Sequence, residues 1–340
     1  MPTVSFRFNL AQVEGQGEDA DPILRFGSNL GLVGALDGMG GAGGTVYETP
    51  DGPRTGAYIA SRVARDLVER RMIELFEPEW QLDGHATAAE LHRALVEGLT
   101  TRLAELKAPP SALRSKLVRA LPTTLALVAL QRDEPAGSAW SAHVFWAGDS
   151  RVFVVEPDGG VRQLTTDDIR SGGDALHNLR DDSPVDNTVS ADTEFRVNYR
   201  QVELSAPYLV VAATDGCFHY VRSPMHFEHL LLSTLQDAED TESWRNAVQT
   251  KVCAVTGDDA AMALLGVGAD FGGFQEMFAQ RAHDLRHRFV APLDEADAAV
   301  AHAEHQLEAL RARRDALLHE LWGTYKPEYE HYQAAKESRS

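Results

Sequence analysis

The stretch VGALDGMGGAGG, from Val33 to Gly44, joins an apolar run to a single acid and a glycine-rich segment. The run from Leu32 to Leu36 predicts a buried strand, and Asp37 marks its end. Five of the seven positions from Gly38 to Gly44 are glycine, so the backbone after the acid can turn tightly and leave its carbonyls exposed. Such a strand end suits either a phosphate-binding loop or a cation held by carboxylate and carbonyl oxygens.

The segment from Gly38 to Gly43 matches the G-x-G-x-x-G spacing of dinucleotide-binding loops. Asp37, however, would place a negative charge beside the pyrophosphate. Two prolines, Pro50 and Pro53, follow where such a loop needs the start of a helix, and no strand ending in an acid occurs about 20 residues later. The sequence therefore favours the cation.

One acid cannot hold a cation, so other acids should occupy similar positions. They do so at three further predicted strand ends, in the segments FWAGDSR, VVAATDGC and TGDDAAMALLGV. A single acid beside a glycine or at a strand tip is most often a turn residue, but four such positions together indicate a metal site. The additional acids are Asp149, Asp215, Asp258 and Asp259.

The composition excludes several classes of protein. Lys and Arg number 32 against 51 Asp and Glu, which gives a net charge of −19 and disfavours contact with nucleic acid or anionic lipid. The chain contains two cysteines, Cys217 and Cys253, too few for a disulfide scaffold. The first residues lack a secretory signal pattern, and no apolar run reaches the roughly 18 residues of a membrane span. We expect a soluble, cytoplasmic protein.

The predicted strands occur in clusters separated by helical patterns rather than alternating with them. This arrangement favours an α+β layered fold over a doubly wound parallel sheet. Helical patterns cover residues 56–77, 88–105, 224–236 and 242–256. The predicted strands lie at 4–8, 32–36, 124–130, 142–146, 152–155, 195–199, 208–213 and 260–267.

The pattern changes after Val267, which predicts a main domain at 1–270 and a helical extension at 271–340. We expect one helix over 274–290, a break at Pro292, and a second helix capped by Asp294. The second helix carries an a/d heptad spacing, which leaves open a helical hairpin, a dimerising coiled coil or a coiled coil with another partner. The heptad positions are Val300, Ala303, Leu307, Leu310, Arg314, Leu317 and Leu321.

Taken in order, these motifs resemble the metal-dependent type 2C (PPM) serine/threonine protein phosphatases, especially the bacterial members. The resemblance runs from about Glu14 to Val267. Its motifs are the DGMGG segment at Asp37, the AGDSRVFVV segment with GVRQLTTDD behind it, the ATDG segment at Asp215, and the pair Asp258–Asp259. The family fold is an αββα sandwich of two antiparallel sheets flanked by helices, which agrees with the clustered strands.

The resemblance also implies a set of metal ligands for Mn²⁺ or Mg²⁺. Asp37 would bridge two ions, the carbonyl of Gly38 would bind the second ion, and Asp215 and Asp258 would hold the first. Two metals of this kind lower the pKa of a bridging water, so the reaction requires no protein nucleophile. The resemblance therefore implies that Asp37, Asp215 and Asp258 are catalytic.

Two further acids complete the implied site. Glu18 falls where the family places an acid that reaches the second metal, mostly through water. Asp149, together with Asp215, falls where many bacterial members bind a third ion. All-oxygen ligands of this kind suit Mg²⁺ or Mn²⁺. By the same resemblance, the partners would be phosphorylated proteins, substrates of a Ser/Thr kinase.

The chain departs from the family pattern at Glu14, where the family usually has an arginine that binds the substrate phosphate. Either Arg25 or another arginine supplies that contact, or turnover of phosphoproteins is weak. The alternative to an enzyme is therefore a phosphatase-like regulatory or binding module. The segment 168–194, where the family has a flap and a variable loop, is polar and would form a lid or bind a partner.

Arg151 and Cys217 follow two of these acids closely in the sequence. We expect Arg151 to pair with an acid or to cap a turn. Cys217 and His219 lie two positions apart and need not face each other, so covalent catalysis by the thiol is not expected.

Overall fold

The computed structural model describes residues 4–27, 30–75, 82–106, 119–132, 138–169, 174–178 and 184–332. Contacts divide the chain into two compact units, Met1–His283 and Asp284–Ser340. The division lies later in the chain than the boundary expected at 270/271.

The first unit is built on two five-stranded antiparallel sheets. The first sheet has the order β1 (Ser5–Leu10), β12 (Ala260–Val267), β11 (Tyr208–Ala213), β8 (Arg151–Glu156) and β9 (Gly160–Gln163). The second has the order β10 (Asn198–Ser205), β7 (Ala139–Ala147), β6 (Leu125–Arg132), β3 (Leu30–Ala35) and β2 (Ile23–Phe26). A separate hairpin pairs β4 (Val46–Thr49) with β5 (Gly52–Thr55).

The two sheets pack face to face around an apolar core of small and branched side chains. Val33 and Val128 of the second sheet belong to the same buried cluster as Val210 and Ala263 of the first. Because helices cover the outer faces as well, the central strands are buried on both sides. This explains why β12 is a continuous apolar run instead of an alternating pattern.

Two helices, α2 (Gly56–Leu75) and α3 (Gly84–Glu105), cover the outer face of the second sheet. Leu91 and Leu95 of α3 are fully buried in one cluster with Leu127 and Phe145 of the sheet. A short helix, α1 (Gly40–Gly43), precedes them, and α4 (Ala175–Asn178) lies in the loop after β9.

Two more helices, α5 (Pro224–Asp237) and α6 (Thr241–Cys253), cover the outer face of the first sheet. Trp244 of α6 packs edge-on against Phe6 of β1, with ring centroids 5.1 Å apart. Phe227 of α5 lies 5.1 Å from Phe153 of β8. The order helices, sheet, sheet, helices confirms the predicted four-layer αββα sandwich.

A further helix, α7 (Phe271–Leu285), begins in the first unit. Phe274 and Phe278 are fully buried, and Arg281 forms a two-pronged ion pair with Glu228 of α5 at 2.6 and 2.9 Å. These contacts explain why the chain divides within α7 rather than before it.

The second unit contains a long helix. After α7 the chain passes through a π-helical turn, Arg286–Val290, and continues directly as α8 (Ala291–Tyr329). The prediction of a break at Pro292 is wrong. Pro292 lies in the first turn of α8, where the backbone N–H that proline lacks would have no partner within the helix. Asp294 does not cap the helix; it forms an ion pair with Arg286 at 2.9 Å.

Most predicted strands and all four predicted helices of the first unit are present, with ends shifted by a few residues. The pattern missed β2, β9 and the hairpin of β4 and β5, which are four residues long each. Segments this short give too little periodicity to be recognised. Within the part of the chain that the structure describes, no helix is long and apolar enough to cross a bilayer.

Candidate metal centre

The acids singled out in the sequence gather at one edge of the sandwich because of strand direction. β3 and β7 both pair antiparallel with β6, so Asp37 and Asp149 follow strand ends on the same side. β11 pairs antiparallel with β12, which puts Asp215, after the end of β11, beside Asp258, before the start of β12. Interleaved antiparallel pairing thus brings together residues that are more than 200 positions apart.

Hydrogen bonds between its backbone and two neighbouring threonines hold Asp37 in place. Its N–H donates to Thr124 Oγ1 at 3.0 Å, and its carbonyl accepts from Thr123 Oγ1 at 2.6 Å and from the Thr124 N–H at 2.9 Å. The hydroxyl of Thr124 also lies 2.6 Å from Ser150 Oγ, next to Asp149. These bonds involve the backbone of Asp37, so its carboxylate can interact with neighbouring side chains.

Two glycines after Asp37 allow neighbouring chain segments to approach closely. A Cβ at Gly38 would lie 2.5 Å from the Glu18 carbonyl oxygen and 2.6 Å from that of Ala57, and a Cβ at Gly40 would collide with the Glu18 carboxylate. The segment from Gly40 to Gly43 is the short helix α1. The glycines therefore accommodate close packing around Glu18, and they do not form the dinucleotide loop considered above.

Asp19 is the most buried acid at this edge, with 1% of its surface exposed. Its side chain accepts a hydrogen bond from Thr214 Oγ1 at 2.7 Å and is hydrogen-bonded to the side chain of Asp37. The Ala20 N–H donates to the Leu36 carbonyl at 3.1 Å, which fixes this segment beside the end of β3. Asp19 thus joins the loop before β2 to the ends of both sheets.

The two acids before β12 have different surroundings. Asp259 is partly buried, and its carboxylate accepts from the Gln12 N–H at 2.8 Å and from the Glu18 N–H, so it holds the loop that carries Glu18. Asp258 is exposed and interacts electrostatically with Asp215 and Glu18. The carboxylate of Asp258 accepts from the Asp259 N–H at 2.8 Å, and Asp258 is the more exposed acid of the pair.

Arg151 pairs with an acid, as expected from the sequence. Its guanidinium binds the carboxylate of Asp167 through two hydrogen bonds of 3.0 and 2.6 Å, and both side chains are almost completely buried. The neighbouring Asp168 accepts from Asn187 at 2.7 Å and from Asn198 at 2.8 Å. Parts of the segment 168–194, namely 170–173 and 179–183, lie outside the described residues, so the predicted lid stays a prediction.

Burial and mutual repulsion raise the pKa values of the clustered acids. Burial raises the pKa of Asp19 to about 7. Burial, followed by the negative charges of Asp19 and Asp215, holds the pKa of Asp37 well above its ordinary value. For Asp215, burial and the charge of Asp149 have the same effect on the pKa. Burial also raises the pKa of Glu18, against a hydrogen bond from Thr55.

These carboxylates fit a divalent cation by their chemistry. They supply only oxygen ligands, which suits Mg²⁺ or Mn²⁺, and a cation would relieve the repulsion that raises their pKa values. In the described residues as they stand, no three Asp, Glu, His or Cys side chains are already close enough together to enclose an ion.

A cleft of about 540 Å³ opens beside Glu18 and Asp258. Its lining includes Arg54 of β5, whose Nη1 donates to the Gly15 carbonyl at 2.6 Å and whose guanidinium lies 4.4 Å from the centroid of the Tyr58 ring. The Nε of Arg54 is buried and has no hydrogen-bond partner. Arg54 therefore brings a positive charge to an otherwise acidic cleft.

Comparison with known proteins settles the family. The family model described as Protein phosphatase 2C matches residues 24–253. The chain belongs to the protein phosphatase 2C family. A search of curated proteins finds no match to the chain.

Solved structures agree on the fold of this phosphatase 2C domain. The serine/threonine phosphatase PstP/Ppp of Mycobacterium tuberculosis superposes with a TM-score of 0.54 at 18% identity, over 79% of this chain and 100% of that one. The serine/threonine phosphatase of S. agalactiae gives a TM-score of 0.54 at 14% identity, over 78% of this chain and 100% of that one. A structure of the PstP catalytic domain in complex with 2 manganese ions gives a TM-score of 0.50 at 16% identity, over 78% of this chain and 97% of that one.

The sequence missed residues whose role depends on contacts rather than on motifs. Asp19 lies beside Glu18 in the sequence but was not singled out, although it is the acid bonded to Asp37. Thr123, Thr124 and Thr214 orient the acids through hydroxyl hydrogen bonds. Their only visible sequence signal was their position next to the ends of apolar strands, which is common to many turn residues.

Proposed function

We propose that this protein hydrolyses phosphoserine and phosphothreonine in phosphorylated proteins with the help of bound Mn²⁺ or Mg²⁺. The observation that carries the proposal is the set of buried, mutually repelling acids at the strand ends of a phosphatase 2C fold. Their negative charge would exclude a phosphate group unless cations were bound first. Metal dependence therefore follows from the same feature.

In this proposal Asp37, Asp215 and Asp258 hold the catalytic ions, with the carbonyl of Gly38 as a further ligand. When bound, divalent ions lower the pKa of coordinated water and neutralise phosphate oxygens. Two manganese ions in the structurally similar PstP domain support two ions here as well.

Glu18 and Asp149 are the outer ligands of the proposed site. Glu18 projects from a loop that Asp259 holds in place, and it interacts with Asp258. Asp149 interacts with both Asp37 and Asp215, which supports it as a ligand of a third ion. Asp19, bonded to Asp37 and to Thr214, acts as a positioning residue.

We infer that Arg54 binds the substrate phosphate in place of the arginine that Glu14 replaces. Arg54 lines the cleft beside Glu18 and Asp258, and it is the cationic residue among those that line this cleft. Arg25 is a weaker candidate, because its guanidinium is committed to Glu69 of α2 at 2.8 Å. A guanidinium favours phosphate through charge-assisted hydrogen bonds.

The proposed partners are phosphorylated proteins, which the activity of a Ser/Thr kinase would supply. The two free cysteines, one buried and one exposed, are compatible with the cytoplasmic location expected from the sequence.

The deciding experiment compares the wild type with Asp37→Asn and Asp215→Asn. Hydrolysis of a phosphothreonine peptide and of an aryl phosphate is measured with Mn²⁺, with Mg²⁺ and after chelation. We expect turnover only with metal and a loss of at least about 100-fold in either variant, since each removes one carboxylate ligand. Calorimetric Mn²⁺ binding without turnover in the wild type would instead support a phosphatase-like binding module.

A further inference from the structure

The long helix α8 of the second unit exposes a continuous row of large apolar side chains. Leu310 is 63% exposed, Leu317 52% and Leu321 59%, and α8 contains no buried residue among those described. Scattered apolar side chains are normal on a surface, but a row at heptad spacing is typical of a helix that packs against another helix.

The row follows steps of three and four residues without interruption from Leu293 to Thr324. Assigning Leu293 to heptad position a puts eight apolar side chains and two others in a and d positions over a length of about 46 Å. Arg314 is the only charged member. The ten positions are Leu293, Ala296, Val300, Ala303, Leu307, Leu310, Arg314, Leu317, Leu321 and Thr324.

Charge is distributed unevenly along α8. Residues 291–308 contain five acids and no lysine or arginine, whereas residues 309–326 contain three arginines and one lysine against two acids. The same division appears at heptad position e, which flanks the apolar row. At this position the acidic half of α8 carries Glu304 and the basic half carries Arg311. Two such helices attract each other when they run in opposite directions, because each acidic half then faces a basic half.

We propose that α8 binds the α8 of a second copy of this chain as an antiparallel coiled coil. The pairing that fits sets Leu307 opposite Leu310 of the partner helix at the centre. Glu304 then faces Arg311 of the other copy, and by symmetry this ion pair forms twice. Specific e and g pairs of this kind set partner and orientation in coiled coils.

The same pairing gives the one charged residue of the row an acceptable position. Arg314 lies opposite Ala303, whose small side chain leaves space for a long one to reach solvent. Within its own helix the Arg314 guanidinium already binds Asp315 at 2.7 Å. In a parallel, in-register dimer the two Arg314 side chains would face each other, and like charges at that position are unfavourable.

Shifting the antiparallel pairing by one heptad removes its advantages. In one direction Glu304 meets Glu304 of the other copy, and in the opposite direction Arg311 meets Arg311. Both shifts lose the two Glu304–Arg311 pairs and add a like-charge contact at position e, although the first shift also brings Asp297 opposite Arg311 of the other copy. Of these three registers, the proposed one is therefore the register without a like-charge contact at position e.

The first test is the molar mass of the full chain by light scattering during size exclusion. We expect a dimer for the wild type and a monomer for Leu310→Asp, which puts a charge in the central apolar layer. Circular dichroism and unfolding midpoints check that the variant keeps its folded first unit. A monomeric wild type at about 100 μM, or a dimer that persists in Leu310→Asp, overturns the proposal.

Orientation is tested by charge reversal. Glu304→Arg alone and Arg311→Glu alone should each weaken dimerisation by at least about 10-fold in dissociation constant, since each replaces two attractive pairs by repulsive ones. The double variant, and an equimolar mixture of the two single variants, should restore it. The matched control is Glu308→Arg, a reversal at position b that faces away from the row. Failure of the double variant to recover overturns this register.

Disulfide cross-linking distinguishes the two orientations directly. In a Cys253→Ser background, Ala296→Cys combined with Leu321→Cys should give a cross-linked dimer on mild oxidation, because these positions are opposite each other in the proposed pairing. Leu321→Cys alone should not cross-link efficiently. Efficient cross-linking of that single variant would show a parallel dimer and overturn the proposal.

Discussion

At the scale of single residues, the proposed centre depends on glycines at which a side chain would not fit. A Cβ at Gly38 would lie 2.6 Å from the Ala57 carbonyl oxygen, which belongs to backbone and cannot swing aside. At Gly41, three positions later, a Cβ would meet nothing within 4 Å. The two positions therefore form a natural pair for testing the role of close packing.

We predict that Gly38→Ala lowers the free energy of unfolding by about 1–3 kcal/mol, because the backbone near Glu18 and Ala57 must move apart. Urea unfolding measures the change. Gly41→Ala is the matched control and should change stability by less than about 0.5 kcal/mol. Equal effects of the two substitutions would contradict the close-packing explanation.

Arg54 gives a second prediction at the same scale. Arg54→Ala should lower kcat/KM for an aryl phosphate by about 10-fold or more, because a charge-assisted contact to phosphate contributes about 1.5–3 kcal/mol. Arg54→Lys keeps the charge and should recover part of the loss. Arg25→Ala, which removes the guanidinium bound to Glu69, is the control and should leave kcat/KM close to wild type. The opposite order of the two alanine variants would make Arg25 the phosphate ligand.

At the scale of elements, β8 is tied to the loop after β9 by a buried ion pair. Arg151 begins β8, its guanidinium binds Asp167 twice, and it lies 4.4 Å from the centroid of the Phe218 ring. Ser150 and Asp149 immediately precede it. This ion pair therefore fixes the strand start next to the acids of the centre.

We predict that Arg151→Met destabilises the protein by about 3–5 kcal/mol, because Asp167 is then left buried without its partner. Replacing both residues, Arg151→Met with Asp167→Leu, should recover much of this loss, since no buried charge remains. Thermal or urea unfolding of the two variants provides the comparison. Additive losses in the double variant would show that the ion pair is not the source of the effect.

At the scale of the whole molecule, the acid cluster opposes folding when no metal is bound. Burial raises the pKa of Asp19 from 3.8 to about 7 in the folded state, so the folded protein retains this proton to a higher pH than the unfolded chain does. The resulting stability is fully present below about pH 4 and is lost as the pH rises through about 7. The raised pKa values of Asp37 and Asp215 act in the same direction.

We therefore predict that the Tm of the chelated protein falls between pH 5.5 and pH 8, and that Mn²⁺ raises Tm more at pH 8 than at pH 5.5. Calorimetry at several pH values with and without metal measures both effects. Asp37→Asn removes one of the repelling charges, so both effects should become smaller in that variant. A Tm of the chelated protein that rises over this pH range would argue against the repulsive cluster.

The sequence by itself determined the layered fold and most of its strands, because long apolar runs are local patterns, and it singled out Asp37, Asp149, Asp215 and Asp258 as candidate ligands from their positions at strand ends. It also determined that α8 carries a heptad row. Only the tertiary structure showed that Asp19 bonds to Asp37, that Arg151 pairs with Asp167, and that Arg54 lines the cleft. Those contacts join residues in different structural elements, and single-residue patterns contain no information about which elements will meet.

The C-terminal helix shows that a local sequence rule can also predict a break that the structure does not contain. Pro292 predicted a break by a local rule, but proline costs no hydrogen bond in the first turn of a helix, and the structure shows a π-helical turn leading directly into α8. Whether a proline ends one helix or begins the next depends on the path of the preceding chain. Tertiary packing fixes the start of that path, because Phe274 and Phe278 of α7 are buried in the first unit.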